Sequence, residues 1–321
     1  MAIDDHAKET GGVYVAPLLA VGLAADVDAA DTEVALESLS QWQLAWRRFR
    51  RHRMALVGVV IFGSMLVIAV LGPFLVPFKT LDFPGATRPG GDPPSVQHLF
   101  GTDQTGRDVF AMTVHGARIS ISVGLGSVLI AGFIGVTIGA VAGFWGGRLD
   151  NVLMRLVDVL FAIPFLFVIL VAARFFGQGE VWAIILIFGL LTWPLIARLV
   201  RASFLSLREM DFVDAARAVG VSRLRIAFRH ILPNAIGPVV VAMTLLMASN
   251  IILEAFVSYL NFGVNETQTT WGNSLSNAQN ALSLGNWWWA LFPGMAIALT
   301  VIAINFIGDG LRDALDPRTR E

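Results

Sequence analysis

Six stretches of this chain stay apolar for about twenty residues, and the polar residues collect between them. They run over 54–77, 119–143, 153–173, 181–200, 236–258 and 287–308. Each meets or nearly meets the length a helix needs to cross a hydrocarbon layer about 30 Å thick. No Asp, Glu, Lys or Arg occurs between Arg118 and Arg148, and none between Glu266 and Asp309. The pattern predicts an all-α polytopic membrane protein with six transmembrane helices. In the second of them Gly135, Gly139 and Gly143 recur every fourth residue. Such a row lets a neighbouring helix approach closely, so its expected role is packing and not chemistry.

Composition supports this picture. Of the 321 residues 55% are hydrophobic and 15% charged, with mean hydropathy +0.68, which is too little charge to cover a water-soluble domain of this size. The absence of cysteine excludes disulfides, thiolate catalysis and Cys-ligated metals. Net charge is −1, but unevenly spread. Residues 1–40 hold eight acids against Lys8, whereas "RRFRRHR" at 47–53 holds five arginines. The expected organisation is an acidic, mobile segment over 1–46 followed by a membrane domain over 47–321. The apolar run at 13–25 is too short to span and lacks a basic leading region, so no cleaved signal peptide is expected.

Arginine and lysine are retained on the cytoplasmic side of a membrane. With the N-terminus inside, the inner segments carry the 47–53 cluster, Arg148, seven arginines from Arg198 to Arg229, and Arg312, Arg318 and Arg320. The outer segments carry only Lys79, Arg88, Arg107, Arg118 and Arg174. Both termini are therefore expected to be cytoplasmic, with a long outer loop over 78–118. "NWWW" at 286–289 reads as an aromatic anchor at the outer interface.

The longest inner loop, 201–235, contains "DAARAVGVSRLRIAFRHILPN" (214–234). Asp211 is placed to cap a short helix, with Asp214 adding favourable charge in its first turn. Ala215, Ala216 and Ala218 favour helix and leave a low-relief surface. Gly220 stands where a helix can end in a left-handed residue, Ser222 can cap a second helix, and Pro233 marks the start of span five. A solvated basic loop would account for the arginines, but it does not need a small-residue helix followed by a glycine joint.

Chemistry inside the chain is not evident. The lysines, Lys8 and Lys79, follow Ala7 and Phe78, so there is no Gly-Lys for a phosphate-binding loop. The five histidines lack metalloprotease spacing, and no nucleophile–base pair stands out. Arg155 and Asp158 are spaced to pair along the third span. Asn250, Glu254 and Ser258 form a polar stripe on the fifth, with Thr244 and Ser249 nearby. That stripe either lines a translocation path or joins helices by hydrogen bonds.

Asp214-Ala215-Ala216, three residues, Gly220, nine residues, then His230-Ile231-Leu232-Pro233 resembles the Glu-Ala-Ala signature of ABC-importer permease subunits. Asp214 replaces Glu and His230 replaces Ile. "HLFGTDQTGRDVFAMTVHGARISISVG" (98–124), "LEAFVSYLNFGV" (253–264) and "GDGLRDALDPRTR" (308–320) are similar to the C-type subunit of the dipeptide, oligopeptide and nickel branch. The resemblance covers about residue 47 onward. It implies the transmembrane domain of a type I ABC importer, forming half of a translocation pore for dipeptides or oligopeptides in a bacterial or archaeal inner membrane. Its implied partners are a homologous second permease, two cytoplasmic P-loop ATPase subunits and an extracytoplasmic solute-binding protein. The resemblance places ATP and Mg on those ATPases and implies no cofactor and no nucleic acid on this chain. The coupling loop would dock on an ATPase through Ala215 and Ala216, with Asp214, Arg217 and Arg223 at the rim and Gly220 making the turn. Nickel chelates or another small solute are the alternative cargo. A secondary transporter is the rival of a different class, for which ion-coupling residues and inverted repeats are not evident.

Overall fold

A computed structural model describes residues 41–76, 91–177, 179–265 and 268–315. The acidic head over 1–40, with its apolar run at 13–25, lies outside the described residues, as do Lys79, Arg88, Glu266, Arg318 and Arg320. Among the described residues the structure is helical, apart from an isolated bridge between Thr102 and Asp108.

A short helix α1 (Gln41–Phe49) leads into α2 (Arg53–Leu75). Residues 41–46, expected to belong to the N-terminal segment, are therefore already part of this fold. Next comes α3 (Val109–Trp145), followed by α4 (Gly147–Ala162) and α5 (Phe165–Ala172), the last continuing as a π turn to Gly177. Then come α6 (Val181–Leu207) and the short helices α7 (Asp211–Ala218) and α8 (Arg223–Arg225). A second π turn (Ile226–Ile231) feeds α9 (Leu232–Tyr259), followed by α10 (Trp271–Ser283) and α11 (Trp288–Leu315). Helices α2, α3, α6, α9 and α11 are long and apolar enough to cross a membrane, and the bent pair α4–α5 makes a sixth span if counted as one.

Two expectations need correction. The second helix starts ten residues before 119, because Asp108 caps it, accepting from the Phe110 and Ala111 amides at 2.7 and 3.3 Å. Its 37 residues run about 55 Å, so it overshoots a hydrocarbon layer. The third span is not continuous: α4 and α5 meet at 83°. Pro164 lacks an amide hydrogen and disfavours helical geometry at the preceding Ile163, which is extended with ψ 134°.

Helix α3 is the centre of the bundle, packing on α6, α9, α2 and α10. Between membrane helices there is no water to expel, so close van der Waals contact must hold them. The glycine row supplies it. A Cβ on Gly135 would stand 2.7 Å from the Ile196 Cβ, one on Gly139 2.5 Å from the Ala197 carbonyl oxygen, and one on Gly143 2.6 Å from the Phe204 Cβ. All three partners are on α6, so the row packs as its spacing predicts.

Charged pairs tie α4 to α6. Asp150 accepts from Arg201 twice, Nε to Oδ1 at 2.5 Å and Nη2 to Oδ2 at 2.7 Å. Asp158 pairs with Arg198 at 2.6 Å, and the Arg198 guanidinium lies 4.3 Å from the Phe161 ring centroid. The expected Arg155–Asp158 pair within one helix is thus not formed, because a longer reach across the helix interface wins Asp158.

At the opposite end of the bundle the 91–108 segment folds around buried Asp103. Its carboxylate accepts from the Thr105 amide and hydroxyl and from the Arg107 amide and Nε. The Trp288 and Trp289 indole N–H groups both donate to the Thr102 carbonyl, at 3.1 and 2.6 Å. Of the three tryptophans expected at an interface only Trp287 is exposed, at 51%. The other two fasten α11 to this segment.

Candidate functional site

The loop between α6 and α9 is shorter than 201–235, since α6 continues to Leu207 and α9 begins at Leu232. What remains is a folded helix–turn–helix. Met210 is the N-cap of α7, with no side-chain cap, and Asp211 sits one residue inside the helix. The acids of the first turn, Asp211 and Asp214, therefore favour α7 through the helix dipole and not by capping. Asp214 accepts from Arg217 at 2.9 Å on an exposed face.

At its far end α7 closes in a Schellman turn. The Val221 amide donates to the Ala216 carbonyl and the Gly220 amide to Arg217. Gly220 has φ +78°, as the glycine joint requires, and a Cβ there would meet nothing within 4 Å. Only the backbone geometry demands glycine. Ser222 occupies the N-cap position of α8 but makes no side-chain cap bond. Pro233 stands in the first turn of α9, exposed, beside half-buried Leu232.

The two faces of α7 differ. Val213 and Ala216 are buried in the same core as Phe204, Ile226, Ala227 and Ile231. Ala216 therefore holds the handle to the bundle and does not present a docking surface as expected. The outward face carries Phe212 (37% exposed), Ala215 and Val219 (79% exposed). These fall at i, i+3 and i+7, which puts them on one stripe. Sequence reasoning attended to the alanines and missed Phe212 and Val219, although that spacing was available to find them. Arg217 and Arg223 come together at a recess of about 380 Å³, lined also by Phe144, Trp145, Val221 and Ile226.

The polar stripe on α9 divides in two. Glu254 is fully buried. It accepts from the Ser120 hydroxyl on α3 at 2.7 Å and from Ser258 one turn along at 2.8 Å, and it hydrogen-bonds the Thr270 side chain at the start of α10. Glu254 and Ser258 therefore join three elements inside this subunit. Asn250 donates to Ser127 of α3 at 2.8 Å and borders an apolar groove of about 390 Å³. The groove lies between the α4–α5 elbow (Phe161, Ile163, Phe165), α6 (Thr192, Pro194) and α9 (Ser249, Leu253).

The family of binding-protein-dependent transport system inner membrane components matches residues 135–321, and the N-terminal TM domain of oligopeptide transport permease C matches 40–88. The chain is 39% identical over 283 residues to the dipeptide transport system permease protein DppC of Bacillus subtilis, covering 88% of each chain. It is 38% identical over 299 residues to the oligopeptide transport system permease protein OppC of the same organism, covering 92% of this chain and 96% of the relative. A putative peptide permease of Brucella suis is 42% identical, covering 84% and 89%. Among solved structures, an inward-facing MetNI methionine ABC transporter chain matches with TM-score 0.52 at 19% identity, covering 64% of this chain and 97% of that one.

Proposed function

This chain belongs to the binding-protein-dependent transport system inner membrane component family, and from that premise we propose that it forms one half of the pore of an ATP-driven importer of dipeptides or oligopeptides. It is a multi-pass membrane protein with the fold of a type I ABC importer transmembrane domain, a permease subunit and not an enzyme. Its relatives named for dipeptide and oligopeptide transport support the cargo. The reading completes the complex with a homologous permease, two cytoplasmic P-loop ATPase subunits that hold ATP and Mg, and an extracytoplasmic solute-binding protein. Both termini would then be cytoplasmic. In support, Arg47, Arg53, Arg148, Arg201, Arg223 and Arg312 all belong to the bundle end that carries α7.

The observation that carries the reading is α7. A buried Val213–Ala216 face fixes it to the bundle, and an exposed Phe212–Ala215–Val219 stripe is free to enter a partner's groove. Asp214, Arg217 and Arg223 supply charge at its rim, and Gly220 sets its angle to the membrane helices. A rigid docked handle transmits movement, as a mobile loop would not. The groove beside Asn250 is the proposed wall of the path, whereas Glu254 and Ser258 stiffen it from behind.

The test uses the absence of native cysteine. Ala215→Cys is introduced and labelled with a maleimide–benzophenone, and the complex, purified from native membranes in mild detergent, is irradiated so that the benzophenone inserts into a C–H bond of whatever chain lies against position 215. Cross-linking to an ATPase subunit, with the second permease co-purifying, is expected. A chain recovered alone, or an ATPase captured without any product at position 215, would overturn the assignment.

A further inference from the structure

Helix α1 lies against the last turns of α11. Ala45 and Phe49, four residues apart, are buried with Ala55 and Ala314, and Leu311 and Leu315 pack beside them. Trp42 and Trp46, again four apart, flank that face and stay 57% and 61% exposed. The Trp46 ring stacks on Phe49 at 6.1 Å with an interplanar angle of 13°, which holds the indole in position. Only residues 50–52 separate α1 from α2, which begins at Arg53 and is a membrane span. Three residues reach at most about 10 Å, so α1 is confined to the membrane surface.

The same stretch of chain carries Arg47 on α1, Arg50 and Arg51 in the turn after it, and Arg53 at the start of α2. All four are exposed, and none forms an ion pair with a described residue. Arg47 falls on the side of α1 away from Ala45 and Phe49. In the same stretch His52 is engaged, its Nε2 3.4 Å from Asp313 and its Nδ1 accepting from the Ala55 amide. This differs from the arginines further along, where Arg198 and Arg201 are paired with Asp158 and Asp150. Retention of basic residues on one side of a membrane explains four arginines without an ionic partner among the described residues. It does not explain two large indoles held out of the core, which gain most at the boundary between headgroups and acyl chains. Cations without an ionic partner among the described residues, next to the interfacial indoles of an anchored helix, match an anionic lipid surface in charge and in depth.

We propose that α1 and the turn after it form a binding surface for anionic phospholipid, with Trp42 and Trp46 in the interfacial layer and Arg47, Arg50, Arg51 and Arg53 on the lipid phosphates. The inference is independent of what the protein transports.

The full chain is reconstituted in bilayers of equal phosphatidylcholine and phosphatidylglycerol, and its preference between spin-labelled forms of the two lipids is read by electron spin resonance. Wild type is expected to select phosphatidylglycerol, and high salt to abolish the selection, because exposed charges are screened. The quadruple variant R47Q/R50Q/R51Q/R53Q, checked for unchanged helicity, should lose selectivity on the order of five-fold or more. Equal selectivity in the variant, or a wild-type preference that survives high salt, would overturn the proposal. The salt titration stands by itself if the variant fails to fold. A preference that emerges only after removal of residues 1–40 would assign the arginines to the acidic head and equally refute a lipid surface in the intact chain.

Discussion

Arg201 holds Asp150 through two parallel hydrogen bonds and so fixes the first turn of α4 to the end of α6. Asp150 is nearly buried, its side chain 10% exposed, whereas the Asp158–Arg198 pair is about half exposed on both sides. A fork on a buried carboxylate is far stronger than a solvated pair. Asp150→Ala strands a guanidinium at the interface and is expected to cost about 2–3 kcal/mol, reduced from the fully buried case because Arg201 is a third exposed. Asp158→Ala should cost less than about 1 kcal/mol. Thermal unfolding in detergent compares them, and equal midpoints would refute the ranking.

The α3–α6 contact makes a sharper demand. Gly139→Ala drives a methyl group against the Ala197 carbonyl and Val200, neither of which can swing away as a side-chain tip could. The expected cost is about 1–3 kcal/mol, seen as a lower melting temperature. Gly63→Ala, where a Cβ meets nothing within 4 Å, serves as the control and should not destabilise the protein.

Gly220 separates backbone strain from contact. Because its Cβ position is empty, any loss on substitution comes from φ +78° alone. Asn tolerates that region better than Ala, and a β-branched residue tolerates it least. Uptake by the assembled importer should therefore fall in the order Gly, Asn, Ala, Val, with about 1–3 kcal/mol of strain at the end of the series. The amount of inserted protein should not change. Normal uptake by Gly220→Val would remove the coupling role from this turn.

Glu254 distinguishes a scaffold from a path. Glu254→Gln keeps the shape, and the hydroxyls of Ser120 and Ser258 can rotate to meet an amide, so uptake should stay near wild type. Glu254→Leu leaves those hydroxyls buried without an acceptor, at about 1–3 kcal/mol each, and should lower thermal stability and uptake together. A Gln variant that folds normally yet fails to transport would move Glu254 into the path.

Legibility followed the range of the interaction. Apolar runs, the glycine row and the turn at Gly220 depend on residues close in sequence, and all three could be read from the chain. The 83° elbow was missed although Pro164 was visible, because its hydropathy runs on unbroken through the bend. Partners across helices were not legible. Spacing offered Asp158 to Arg155, and only the α4–α6 interface gives it to Arg198. The run of tryptophans predicts an interfacial anchor at Trp288 and Trp289 because composition cannot tell an indole facing headgroups from one facing the Thr102 carbonyl. Ala216 was legible as small, but not as facing inward.

The glycine row also has a place in time. Its last member, Gly143, is made about sixty residues before Phe204, the α6 residue it receives. At roughly 5–20 residues per second, α3 waits several seconds for the surface it was shaped to fit. During that interval the row lacks the α6 surface that fits it, so the birth order of the helices leaves the centre of the bundle unfinished until α6 follows it into the bilayer.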